Sequence, residues 1–110
     1  AWDPDVIFLD YNGLDLIQED YASNSEYYKQ LTAVQKGNIY SQISFRSYAS
    51  NLDLALADTY YAASVLYPEQ FADIDMKEKV SEIFETLLGD DISEELEEHG
   101  YEFGQITIGK

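Results

Sequence analysis

The chain has 110 residues and carries 22 Asp and Glu against 6 Lys and Arg, a formal charge of −16. That length accommodates one domain. An apolar content of 45% with 15% aromatics, ten of them Tyr, excludes a disordered acidic tail. Nucleic acids and anionic membrane surfaces are excluded as partners, because counterion release needs clustered Lys and Arg, and the only Arg is Arg46, beside five scattered Lys. The absence of Cys excludes disulfides, thiolate nucleophiles and Cys-based zinc sites. No apolar run exceeds four residues, whereas a membrane-spanning helix needs about 20.

The chain opens at Ala1-Trp2-Asp3-Pro4-Asp5, directly before a strand-like segment, and so reads as a fragment or processed product of a longer protein. Val-Ile-Phe-Leu at 6–9 is an apolar run without alternation, the pattern of a parallel strand covered on both faces. Leu14, Leu16, Ile17 and Tyr21 then predict a short helix, which Ser23-Asn24-Ser25 interrupts while capping the next. That next helix carries Tyr27, Leu31 and Val34 at helical spacing and ends at Gly37. Residues 39–43 predict a second strand, closing a parallel crossover.

Residues 44–50 form a polar and aromatic loop, and Ser50 with Asp53 predicts the cap of a long helix over 52–67, apolar on nearly every side and ended by Pro68. Asp75 and Glu78 predict the start of another helix, stopped by Gly89, in which Val80, Ile83, Phe84 and Leu87 form one inward stripe. Asp91 and Glu94 predict a further short helix, and residues 101–110 a loose tail or a late edge strand.

Residues 69–102 hold 13 acids and two Lys, and a solvated helix face accounts for them without a partner. Asp10-Tyr11-Asn12-Gly13 lacks the glycine position and the closing glutamate of a calcium loop, so no metal ligands are assigned. His99, the single imidazole, ends an acidic helix whose dipole and neighbouring Glu97 and Glu98 suit it. No nucleophile elbow or phosphate-cradling glycine loop occurs, so no catalytic residues and no cofactor are assigned, and an enzyme is not expected. Ligands of open α/β sheets bind beyond the carboxyl ends of strands. That edge selects loops 10–13 and 44–50, and with them Tyr11, Phe45, Arg46 and Tyr48. Arg46 either faces the ligand or pairs with an acid such as Asp53.

Trp2-Asp3-Pro4-Asp5-Val6-Ile7-Phe8 resembles the PDVIF strand that opens the second half of the C-terminal lobe in ABC-importer substrate-binding proteins of the iron-complex and cobalamin class. Leu31-Thr-Ala-Val-Gln-Lys-Gly-Asn-Ile-Tyr40 is similar to that family's L.AVK.G.VY segment. Leu56-Ala57-Asp58 through Leu66-Tyr67-Pro68-Glu69-Gln70-Phe71 is similar to its LA…LYPE.F helix and exit, and residues 74–89 resemble its closing helix. The four segments keep the family's order and spacing over nearly the whole chain.

The resemblance implies an α/β fold, a three-layer half-lobe that is part of the C-terminal lobe of a bilobed receptor. The implied function is capture of an iron complex (siderophore or heme), or a related metal chelate such as cobalamin, and delivery to an ABC permease in the membrane. The receptor would be an extracytoplasmic monomer, periplasmic or lipid-anchored at the outer face of the cytoplasmic membrane. The family's ligand-contacting loops correspond to 10–13 and 44–50, so Tyr11, Asn12, Phe45, Arg46 and Tyr48 are transferred by position. Its permease-docking glutamate lies on a helix before the PDVIF strand, so no Glu here inherits that role. The competing expectation is a stand-alone acidic protein-interaction module, with residues 69–102 as its interface.

Overall fold

Two short apolar segments separated by helix-forming sequence pair as a parallel two-stranded sheet in the computed structural model, which describes residues 2–46 and 50–109. β1 (Ile7–Asp10) runs through a 3₁₀ turn (Tyr11–Gly13) into α1 (Leu14–Tyr28), then α2 (Thr32–Lys36) and β2 (Ile39–Gln42). α3 (Leu52–Leu66), α4 (Met76–Leu88) and α5 (Ser93–Glu98) follow. The architecture is mixed α/β with helix dominant. No helix among the described residues is long and apolar enough to cross a membrane. The chain divides into two compact units, residues 1–42 with 103–110, and residues 43–102.

In the first unit Ile7 pairs with Ile39 and Asp10 with Gln42, so both strands end at one edge of the sheet. Ile39 and Ser41 point into the interior and are buried, whereas β1, with a partner on one side only, has no buried residue. The expectation of a first strand covered on both faces is therefore not met within this unit. Residues 103–109 lie along the other side of β2. Ser41 donates its N–H to the Gly104 carbonyl at 2.8 Å, Ile106 donates to Ile39 at 2.7 Å, and Tyr40 bridges antiparallel to Gln105. The tail thus takes the place of an edge strand.

The helices between the strands differ from the sequence pattern. Ser23-Asn24-Ser25 bends α1 at Asn24 (φ −128°, ψ 28°) instead of ending it, and the Asn24 amide donates to Asp20 at 2.8 Å. The break falls at residues 29–31, so Tyr27 and Val34 lie on different helices. Its cause is distant in sequence: the Asp3 carboxylate accepts the Thr32 N–H at 2.9 Å and the Thr32 hydroxyl at 2.5 Å, capping α2 from 29 residues upstream. Gly37 closes α2 with φ +72°, a conformation that glycine adopts without Cβ strain.

The second unit is built on helix burial. α3 packs on α4 over a core of Ile43, Ala57, Val80, Ile83 and Phe84. Tyr60 of α3 meets the Phe71 ring edge-on and carries the Lys79 ammonium 5.7 Å from its centroid. Asp75 caps α4 by accepting from Lys77 and Glu78 N–H at 2.9 and 3.2 Å, and Gly89 ends it at φ +77°. Leu87, expected inside, is 52% exposed. It lies in the last turn of α4, beside the equally exposed Leu88. The α3 cap also differs from the sequence pattern: Asn51 takes the N-cap position in place of Ser50, and its side chain donates to the Phe45 carbonyl.

Candidate functional site

Beyond β1 the chain turns at once because Asp10 accepts the Asn12 N–H on its own Oδ1 at 2.9 Å, forming the 3₁₀ turn that leads into α1. This turn holds Tyr11, half-buried, and Asn12, exposed, side by side. Both belong to the first unit.

Beyond β2 the chain enters the second unit. Ile43 is buried, and its N–H donates to Oδ1 of Asp58 on α3 at 2.9 Å. Phe45 and Arg46 follow and are exposed, with the guanidinium carbon 5.7 Å from the Phe45 ring centroid, within cation–π range. Arg46 also bridges antiparallel to Ser50, and the Phe45 carbonyl accepts the Asn51 N–H at 2.7 Å. None of the ion pairs among the described residues involves Arg46, so the Asp53 pairing is not formed. Tyr48 lies outside the described residues.

The structure therefore holds Tyr11 with Asn12, and Phe45 with Arg46, as two local pairs. Sequence reasoning missed Asp58 and Asn51, which fix the approach to Arg46. Asp58 had a readable signal, since it is an acid in a helix otherwise rich in Ala, Leu and Tyr, where an unmatched carboxylate would be costly.

The acidic residues of 69–102 are employed locally or face solvent. Asp91 accepts the Ser93 hydroxyl at 2.5 Å and the Ser93 N–H at 3.0 Å, and these bonds hold its carboxyl below the usual carboxylate value while they start α5. Lys77 reaches Glu97 at 3.4 Å, and Lys79 pairs with Glu82. His99 caps the C-terminus of α5 and is exposed. Among the described residues no group of three or more His, Cys, Asp or Glu is arranged to hold a metal ion.

No protein-family model matches the chain, and no curated protein matches it significantly.

Proposed function

We propose that the chain is part of the C-terminal lobe of an extracytoplasmic substrate-binding receptor for an ABC importer, one that captures an iron complex such as a siderophore or heme, or a related chelate such as cobalamin. The observation that carries this reading is the parallel pairing of β1 with β2 across α1 and α2. The two segments that resemble the family's strands are neighbours in register. Further support comes from the segment joints: Gly37 in the AVQKGNIY segment ends α2, the LYPEQF segment starts where α3 stops, and the segment that resembles the closing helix contains α4.

The three-layer architecture belongs to the same proposal. On α3, Leu52, Leu56, Thr59, Ala63 and Leu66 recur at intervals of four and three, an uncharged stripe on one side of a helix. Leu52 and Leu66 are 73% and 51% exposed, and in this reading the remainder of the lobe covers them.

The mechanism involves no covalent step. Two lobes close on the chelate, and desolvation with a few charge-assisted contacts supplies the affinity. Arg46 offers a bidentate donor to carboxylate, catecholate or hydroxamate oxygens, and Phe45 and Tyr11 offer apolar ring faces. Asn12 adds an amide, and the resemblance adds Tyr48. Calorimetric titration of the longer protein carrying this chain with ferric hydroxamates, ferric catecholates, hemin and cobalamin tests the reading. Saturable binding of one of them is expected. Failure of the whole panel, with a protein partner captured on residues 69–102, would favour the interaction module.

A further inference from the structure

We propose that Asp58 is a positioning residue that holds the Ile43 to Arg46 stretch in its ligand-presenting conformation, an inference that rests on the reading of Phe45 and Arg46 as ligand contacts. Strand pairing ends at Asp10 with Gln42, so the N–H of Ile43 lies one residue beyond the ladder. Ile43 is only 5% exposed, and a buried N–H needs an acceptor. Asp58 supplies it at 2.9 Å, from 15 residues away and at 6% exposure.

An Asp at this point is not chosen for helix propensity. Aspartate is a weak helix former in a helix interior, and burying a carboxylate is unfavourable unless hydrogen bonds meet it. Its bond to Ile43 ties α3 to the segment that leads to Phe45 and Arg46. The far end of that segment is tied to the same helix: Asn51, at the N-cap of α3, donates its N–H to Phe45 at 2.7 Å and its side-chain amide to the same carbonyl at 3.3 Å. Asn51 and Asp58 stand two turns apart, about 10 Å along the axis. α3 thus grips the backbone before Phe45 and again at Phe45, which leaves the Arg46 side chain exposed on a fixed main chain.

Amide hydrogen exchange on the 110-residue chain reads this directly. In Asp58→Ala the Ile43 amide should exchange about tenfold faster, as loss of the acceptor of a buried N–H implies, while Ile83 and Phe84 keep their wild-type protection. Asp58→Asn retains an oxygen at the same place and should raise exchange only about threefold. A nitroxide on Ser50→Cys, unique in a chain without Cys, should gain mobility in Asp58→Ala and recover in Asp58→Asn. Unchanged Ile43 exchange, or exchange rising in step with Ile83 and Phe84, overturns the proposal. If Asp58→Ala does not fold, Asp58→Asn decides alone, and an unaltered Ile43 amide there overturns it equally. Graded exchange in a receptor that takes none of the ferric chelates removes the transport reading and leaves the positioning role standing.

Discussion

The two units are held together by different physics. Residues 43–102 bury Ile43, Ala57, Val80, Ile83 and Phe84 between helices adjacent in sequence. Among its described apolar side chains the first unit buries only Ala33 and Ile39, and it relies on polar bonds that cross long stretches of chain. Asp3 caps Thr32, the Ser41 hydroxyl accepts the Gly104 N–H at 2.8 Å, and Gln18 both donates to Thr107 at 3.0 Å and accepts from Gly109 at 2.7 Å. Gln105 donates to the Gly37 carbonyl. The difference teaches that a periodic helical pattern forecasts burial well, whereas a sheet with few strands is specified by individual polar residues that have no periodicity.

The largest effect expected of this contrast is at Phe84, which has no exposed surface. Phe84→Ala should cost about 3–5 kcal/mol, read as a lower urea midpoint, whereas Leu87→Ala should stay within about 0.5 kcal/mol. Equal effects at the two positions would erase the distinction between the buried and exposed sides of α4. In the first unit, Ser41→Ala removes the acceptor of a part-buried N–H and should cost about 1–3 kcal/mol, with faster amide exchange at Gly104. Retained protection at Gly104 would show that the tail is held by other means.

A smaller loss is expected for Gly109→Ala, on the order of 1 kcal/mol. The backbone there has φ +90°, and an added Cβ would sit 2.5 Å from the Tyr21 ring. The change should release the end of the tail from Gln18, and an unaltered environment of the Gln18 side-chain amide, with Thr107 keeping its wild-type signals, would contradict that release.

The smallest effect is on the pH dependence. The Thr32 hydroxyl, then the Thr32 N–H, hold Asp3 below its ordinary value of 3.8. A carboxyl depressed in the folded state adds stability above its unfolded value and loses it as pH falls through the lower folded value. The Asp3 contribution is thus complete above pH 3.8 and disappears below it. Asp3→Asn should flatten this part of the acid limb, and identical acid limbs for the two proteins would remove the α2 cap from the account. Asp91 acts with the same sign in the second unit, through the Ser93 hydroxyl and then the Ser93 N–H.

These contrasts mark what was legible beforehand. α4 was readable almost to the residue, because Asp75, the apolar stripe and Gly89 are local signals lying within one helix. Both strands and their parallel pairing were readable from apolar runs flanking helical sequence. The end of α1 and the start of α2 were not, since Asp3 lies 29 residues from the Thr32 it caps. The docking of the tail was open as a choice between loop and strand, because Gly104 and Gln105 carry no strand propensity and are placed by Ser41, Tyr40 and Gly37. At the candidate site, the positions of Tyr11, Asn12, Phe45 and Arg46 after their strands followed from sequence order. The bonds from Asp58 and Asn51 that fix the second pair depend on tertiary contact.

On the proposed transport reading, calorimetry on the longer protein, comparing Arg46 with Arg46→Ala against whichever chelate of the panel binds, tests the functional account most directly. Arg46 is exposed, its guanidinium carbon lies 5.7 Å from the Phe45 ring centroid, and no ion pair among the described residues holds it. The account predicts a loss of about 1.5–3 kcal/mol of binding free energy, the range for hydrogen bonds to charged groups. Unaltered affinity would contradict it and remove Arg46 from the site.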